Sequence, residues 1–465
     1  MGAVVSGDER YDVAVVGAGG AGLAAAVSAR ENGASVILVD AAEQVGGSTA
    51  LSGGAFLAAG TMTQRAAGFP GDSAQEFYDF FMAVNRWNVE PAIVRRYCDS
   101  GADAVRWLAS HGVEFSPDEL ARGELERVPR LHRAGGGGAG ITTALKRSCA
   151  RLGVDTALGT RVDALITQSG TVTGIRAGDQ QLDAAAVVIA SGGFANNRAL
   201  VEEHIPFARP YLSQLRSPAA LTNLGDGLTM AVRIGAATAG YNRAQVLLSS
   251  GIVDDVEPRL PGWLICVDSS GRRFVDEAVP YHVINPLTRD HGGTCWAIFD
   301  DAARRAARGS GSPFGSGMWT HDMLSKAAEA GQIACGPDLE SLAARLSLPA
   351  AVLRTTVERY NRDCERGVDS LFFKDASTMV TCRTPPFYGV ALQPTMMPVT
   401  GYGLRIDADA RVLREADDRP IPGLYAAGEV VGNVVGPSIF SGGAMVAGAV
   451  IFGRRAGEMA AGQRA

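Results

Sequence analysis

Six residues near the N-terminus, Gly17-Ala18-Gly19-Gly20-Ala21-Gly22, follow directly on a short apolar, β-rich run from Asp12 to Val16. An alanine-rich segment from Leu23 to Glu31 reads as a helix that Gly33 ends, and Ser35 to Val39 reads as a second strand closing on Asp40. This is the βαβ context that a dinucleotide fingerprint requires. Gly17 allows the tight turn, Gly19 lets the backbone approach a pyrophosphate, and Gly22 lets helix and strand pack closely. The helix N-terminus faces the phosphates, and Asp40 is placed to bond a ribose hydroxyl. A glycine motif alone is weak; with both strands and the acidic residue in place it is specific.

The elements that position this loop recur along the chain. Val187 to Ile189 leads through Ala190-Ser191 to Gly192-Gly193-Phe194, and Gly423 to Ala427 leads to Gly428-Glu429. Each reads as a strand stopping at glycine, and each alone reads equally as a core strand with a tight exit. Together with Gly46-Gly47-Ser48-Thr49 and Ser52-Gly53-Gly54 they form one pattern. From about 239 to 399 that pattern fades. Helical, Arg- and Ala-rich segments replace it at Asp300 to Arg308, Leu339 to Leu346 and Ala350 to Arg362, between proline-bearing turns. The expected organisation is a nucleotide-binding domain in two parts, 1–238 and 400–465, with a capping or substrate domain inserted at 239–399.

Composition agrees and excludes other classes. At 465 residues the chain exceeds the usual single-core limit, so two domains or an insertion are expected. A hydrophobic share of 46% is ordinary for a globular protein, and a net charge of −6 gives no reason to expect nucleic acid or an anionic membrane. The seven cysteines are scattered without CxxC or Cys/His clusters, which disfavours zinc, iron–sulfur and c-type haem and suits a reduced, cytoplasmic setting. No secretory leader is read at the N-terminus, Met1-Gly2 with Ser6 is a chance match to the myristoylation pattern, and the apolar run Ala444 to Phe452 is too short to span a bilayer. His111, His204, His291 and His321 lack partners at metal spacing and carry no assigned role.

Seven stretches make the chain resemble the fumarate reductase/succinate dehydrogenase flavoprotein family, and more closely its 3-ketosteroid dehydrogenase-like branch. They are GAGGAGLAAA at 17–26, GGSTALSGG at 46–54, HRAGGGG at 132–138, VVIASGGF at 187–194, TNLGDG at 222–227, GRRFVDE at 271–277 and GLYAAGEV at 423–430. The resemblance implies an α/β fold: a Rossmann-like FAD-binding domain interrupted by an inserted α+β capping domain, with the active site between them at the flavin. It places Gly17, Gly19, Gly22 and Asp40 on the ADP half of FAD, and Ser48, Thr49, Gly53 and Gly54 along the isoalloxazine. Gly20, Gly47, Gly193, Asp226, Gly428, Glu429 and Gly443 would also lie on the cofactor, with Glu429 meeting the ribityl chain. Members that bind FAD covalently carry a histidine in the loop before the glycine pair; residues 46–52 hold none, so the flavin is expected to be non-covalent. A single fingerprint implies no separate nicotinamide domain.

The resemblance also carries chemistry. Family members move a hydride to or from the flavin while a protein group moves a proton at the adjacent carbon, which requires an activating carbonyl or carboxylate. The dicarboxylate enzymes place an arginine four residues after the Glu of RFxxE; here that residue is Tyr281, the ketosteroid-dehydrogenase pattern, in which the phenol is the general base. A phenol of pKa near 10 needs help from its surroundings to act so. The other reading of Tyr281 is packing beside Pro280. The C-terminal loop Gly436 to Gly443 lacks the arginine that would clamp a carboxylate, and Pro398 to Tyr402 lacks the family's carboxylate-binding histidine. His132 remains as a group that would hold a single polar substrate atom. An apolar ketone, a 3-ketosteroid or a smaller cyclic ketone, then fits better than a dicarboxylate, with Ile439 and Phe440 as lining. Gly443 would polarise the carbonyl through its N–H, but the second donor, a tyrosine in the family, is Ile439 here; Tyr402 or Ser441 would replace it, Ser441 reading equally as a helix cap. His282, beside Tyr281, reads either as a group that tunes the phenol or as a ring facing solvent, the second being the expectation. The electron acceptor would be oxygen, a quinone or a carrier protein. The alternatives are an ene-reductase of an enone or unsaturated carboxylate, and a non-catalytic flavin subunit.

Overall fold

The computed structural model describes residues 10–123, 126–252, 260–309, 317–438 and 442–463. The chain divides into two compact units. The first runs through Pro210, takes in Ala219–Gln245 and resumes at Val399; the second comprises Tyr211–Pro218 and Val246–Pro398.

The first unit is built on an eight-stranded sheet. Strands β1 (Tyr11–Val16), β2 (Val36–Val39), β3 (Ala55–Leu57), β4 (Leu131–Arg133), β5 (Asp155–Ala157), β6 (Ala164–Gln168), β7 (Thr171–Ala177), β8 (Gln180–Ile189) and β9 (Thr238–Ala239) come before the second unit's sheet. After that sheet follow β15 (Gly403–Leu404), β16 (Arg411–Leu413) and β17 (Pro420–Ala426). The main sheet has the order β16-β17-β8-β1-β2-β5, with the hairpin β6–β7 joined to the first half of β8. From β17 to β5 the pairs are parallel. Parallel strands are covered on both faces, which is why β2 reads Val-Ile-Leu-Val and is buried throughout.

Helix Gly20–Glu31 is buried at ten consecutive positions, Gly20 to Ala29, so it is apolar all round rather than amphipathic. It packs on helix Gly137–Leu152 and on helix Gly442–Ala461. The second contact is backbone on backbone: a Cβ at Gly453 would collide with the carbonyl oxygen of Ala21, and one at Gly457 with that of Ala25. Ser28 Oγ donates to the Arg454 carbonyl across the same seam at 2.9 Å.

The second unit carries a five-stranded sheet. Its strands are β10 (Ala244–Ser249), β11 (Ile265–Val267), β12 (Cys295–Asp300), β13 (Ala334–Gly336) and β14 (Phe387–Thr400), in the order β10-β14-β12-β11 with β13 beside β14. Alternation along β11 sorts its two faces: Cys266 joins Cys295, Phe299, Trp319 and Val390, whereas Ile265 and Val267 join Leu342, Leu353 and Tyr360.

Local signals set the ends of the flanking helices. The helix expected from Asp300 begins one residue later because Asp300 is its cap, accepting from the Ala303 amide at 2.8 Å. The helix from Ala350 continues to Arg366, where Gly367 closes it in the left-handed conformation. Tyr211–Pro218 joins the second unit because Arg216 pairs along β14, donating to Thr395 O at 2.9 Å and accepting from the Met397 amide at 2.8 Å. Among the described residues no helix is long and apolar enough to cross a membrane.

Candidate flavin site

At the carboxyl end of β1 the chain turns at Gly17, φ 109°, whose amide donates to Val39 O at 2.7 Å. Gly22 stacks directly on that turn. A Cβ at Gly17 would strike the Ala190 carbonyl and one at Gly22 the Gly17 carbonyl, so both positions demand glycine. Asp40 braces the loop, accepting from the Ala18 amide at Oδ2 and from the Ala42 amide at Oδ1, 2.7 Å. Each oxygen keeps a further lone pair for a ribose hydroxyl.

The 46–54 loop is tied to the same turn. Gly46 N donates to Ala18 O at 2.8 Å and Gly20 N to Thr49 Oγ1 at 3.2 Å. Ser48 Oγ accepts from the Ala220 amide at 3.1 Å. Ser52 Oγ donates to Thr49 O at 2.7 Å, and Gly138 N, in the first turn of helix Gly137–Leu152, donates to Ser52 O at 3.0 Å beside Gly53 and Gly54. Across the cradle, Gly428 follows β17 with φ 84° and leads to Glu429. That carboxylate accepts from the Thr400 amide and hydroxyl, both at 2.9 Å, and from Asn223 Nδ2 at 3.1 Å. Burial raises its pKa against these donors. Gly193 faces the same groups, and a side chain there would run into Thr400 and Glu429. Asp226 opens helix Asp226–Arg233 and pairs with Arg161; burial raises its carboxyl, and Arg161 opposes the shift.

In the second unit Tyr281 is the first residue of helix Tyr281–Asp290, behind Pro280 as N-cap. It is buried against Leu247 and Met396. One turn earlier stands a buried ionic quartet. Glu277 fills its four acceptor sites: Oε1 takes the Cys266 amide at 3.0 Å and Arg273 Nε at 2.8 Å, and Oε2 takes Arg273 Nη2 and Lys374 Nζ, each at 2.9 Å. Arg273 reaches Asp369 at 2.9–3.0 Å and lies between the rings of Tyr360 and Phe372. Burial opposes ionisation of Glu277, but Lys374 and Arg273 outweigh it and hold the pKa below the usual carboxylate value.

The remaining expected groups are placed differently. His132, on β4, has both ring nitrogens engaged within the protein. Nδ1 lies 2.8 Å from Arg130 O and 3.2 Å from Phe56 O, and Nε2 2.7 Å from Thr61 Oγ1. A proton on Nδ1 and an accepting Nε2 satisfy all three contacts, and burial keeps the ring neutral. Tyr402 donates its hydroxyl to Thr238 Oγ1 at 3.0 Å and stacks on His204, so that group is committed. Gly443 is buried in the first turn of helix Gly442–Ala461. Ser441, Ile439 and Phe440 lie outside the described residues. His282 corrects the expectation of a solvent-facing ring. Both its nitrogens are buried without hydrogen-bond partners, its ring meets Tyr281 edge-on at 5.5 Å, and burial pushes its pKa down to about 4.

A family described as FAD binding domain matches residues 12–446, nearly the whole chain. The chain belongs to this flavoprotein family. A probable fumarate reductase of Shewanella frigidimarina is 33% identical over 97% of this chain and 75% of its own length. The vinyl phenol reductase of Lactiplantibacillus plantarum is 29% identical over 97% of both chains. The solved 3-ketosteroid-Δ4-(5α)-dehydrogenase of Rhodococcus jostii RHA1, in complex with 4-androstene-3,17-dione, is 27% identical with a TM-score of 0.81, covering 99% of this chain and 98% of that one. The protein is thus an FAD-dependent oxidoreductase of the fumarate reductase/ketosteroid dehydrogenase family, acting on carbon–carbon bonds.

The residues fit an FAD. The glycine turn leaves the backbone bare, and Ser191 Oγ, at the exit of β8 beside Gly17, is buried without a partner. Three residues of the cradle escape sequence reasoning as individuals. Asn223 sits inside TNLGDG and Thr400 ends β14, but only the fold brings both to Glu429. Arg161, which meets Asp226, carries no local signal at all.

Proposed function

We propose that the protein introduces a C=C bond α,β to the carbonyl of an apolar ring ketone, a 3-ketosteroid or a smaller cyclic ketone. The observation that carries this reading is Tyr281: a phenol in apolar packing with Leu247 and Met396 occupies the place that follows RFxxE by four residues. The loop 436–443 offers no Arg or Lys to a carboxylate, which favours an uncharged substrate.

Tyr281 takes the proton from the carbon next to the carbonyl. The bound flavin supplies the two-electron acceptor for the hydride leaving the neighbouring carbon. The Gly443 amide polarises the carbonyl oxygen, so charge developing at the first carbon is delocalised. With Tyr402 committed to Thr238, Ser441 is the candidate for the second donor, and His132 acts by holding Thr61 to β4 rather than by touching substrate. The cofactor would be held by Gly17, Gly19, Gly20, Gly22 and Asp40 at its ADP end, and by Gly47, Ser48, Thr49, Gly53, Gly54, Gly193, Asp226, Gly428 and Glu429 beyond it. The reductases among the relatives favour a second reading in which the same groups run in reverse: Tyr281 gives its proton to an enone.

Tyr281→Phe tests the assignment. General acid–base groups contribute about 10²–10⁴-fold. With a panel of cyclohexanones and 3-ketosteroids, the rate constant for flavin bleaching should fall by about that factor, while FAD content and melting temperature stay constant. Oxidation of a reduced dye dependent on an enone, without bleaching by any saturated ketone, selects the reverse reaction. A variant as fast as the wild type makes Tyr281 a packing residue.

A further inference from the structure

Four parallel strands of the first unit frame a crevice. In the order β8-β1-β2-β5 the inner pair is β1 and β2, and their carboxyl ends carry the Gly17 turn and Asp40. Ligands of such sheets lie outside the carboxyl ends of the strands. The outer strands flank that place, and with neighbouring strands about 4.8 Å apart their exits stand about 14 Å from one another.

The chain leaving β5 folds inward over β2. Gly159 N donates to Ala42 O at 2.9 Å and Thr160 N to Asp40 O at 2.8 Å, so Arg161 follows directly on the contact with the acid assigned to the ribose. Asp163 anchors the far side of this loop, its carboxylate taking the Gly178 amide at 2.6 Å and Arg176 Nε at 2.9 Å. The other flank is built at the exit of β8. Gly227 is pressed so closely there that a Cβ would overlap Ser191 Oγ and Ile189 Cγ2. This contact holds the start of helix Asp226–Arg233, behind Gly225 at φ 87°. Arg161 Nη1 then donates to Asp226 Oδ2, 65 positions away. The ion pair joins the exits of the two outer strands across the ends of the inner two. Its side chains are 45% and 32% exposed, and a pair so exposed contributes little to folding. The sheet beneath is already laddered from β8 through β1 and β2 to β5.

We propose that Arg161 is a cofactor-retaining residue, whose ion pair with Asp226 is a clasp that closes over the ADP half of FAD and opens when the cofactor leaves. The idea rests on the placement of FAD given above, with its ADP end at Gly17 and Asp40. The glycine fingerprint at 17–26 offers a pyrophosphate backbone N–H groups and no Lys or Arg. A guanidinium carries five donors in a fixed fork, so one cation can hold a carboxylate and a phosphate oxygen together.

The rate at which FAD fluorescence appears after dilution of the holoprotein tests it. Arg161→Gln should release FAD about fivefold faster, the most that an exposed ion pair ordinarily supports, while its apoprotein melts at the wild-type temperature. Arg161→Lys keeps the charge and should stay within about twofold of wild type. Raising NaCl from roughly 0.05 to 0.5 M screens the pair, so it should speed release from wild type and leave Arg161→Gln unchanged. Wild-type release from Arg161→Gln, an unchanged salt response in it, or an apoprotein that melts earlier overturns the proposal. Asp40→Asn separates that result from a misplaced cofactor. Slow release from Arg161→Gln beside fast release from Asp40→Asn removes the clasp alone; slow release from both removes the placement of the ADP end as well. No substrate enters these measurements, so a ketone that is never oxidised overturns the functional reading and leaves the clasp standing.

Discussion

Lys374 Nζ lies 2.9 Å from Glu277 Oε2, 97 positions away in sequence, and both side chains are wholly buried. The pair completes a carboxylate whose four acceptor sites are filled, so Glu277 has no site left to receive a proton and serves as a fixed point one turn before Tyr281. Removing one partner of a buried ion pair leaves an uncompensated charge, at a cost of about 3–5 kcal/mol. Lys374→Met is therefore expected to lower the denaturant midpoint by that equivalent. The pKa of Glu277 is depressed in the folded state, so its contribution is present above the ordinary carboxylate value and lost as pH falls through the depressed one. Denaturant titrations between pH 7 and pH 3 should show the gap between wild type and Lys374→Met closing at the acid end.

Glu126 predicts the opposite pH dependence. Its Oε2 accepts from the Gly123 amide at 2.9 Å, and burial pushes its pKa up to about 7 from 4.5, against the opposing pull of that amide and Arg130. A raised folded-state pKa means stability that is whole below the unfolded value and is lost as pH rises through about 7. The loss approaches roughly 3 kcal/mol at its upper bound. Glu126→Gln should flatten the melting temperature between pH 5.5 and 8.5; a wild-type slope in the variant would show that the group does not titrate there.

Residues 46–52 carry no histidine, so the flavin should be held without a covalent bond. Acid precipitation is expected to leave the yellow colour in the supernatant. Fluorescence retained by the denatured band on a gel would contradict it.

Gly457→Val puts a branched side chain where a Cβ already collides with the Ala25 carbonyl. Overpacking typically costs about 1–3 kcal/mol, and the atom met here is backbone of the helix that follows the Gly17 turn. Purified Gly457→Val should carry less FAD per chain than wild type, while a surface change such as Arg106→Ala should not.

What could be read in the sequence was local. The turn from β1 into helix Gly20–Glu31 follows from consecutive residues whose spacing dictates backbone geometry. The partners of Glu429 could not be read the same way, since Asn223 lies 206 positions from it and Thr400 29, on different elements. Tyr402 shows how function-bearing residue types mislead: its hydroxyl has an acceptor, Thr238, 164 positions away. His282 misled for the reverse reason. A polar ring beside a helix start suggests solvent, yet the packing of that helix turns both nitrogens inward without a partner.

The seam between helix Gly20–Glu31 and helix Gly442–Ala461 has a temporal meaning. Ser28 and the carbonyl it meets at Arg454 are separated by 426 positions, so the first element of the nucleotide cradle leaves the ribosome long before the helix that covers it. At about 5–20 residues per second the interval is tens of seconds. Throughout it the apolar flank of the first helix lacks its cover, and loading of the flavin must wait for the far end of the chain to arrive.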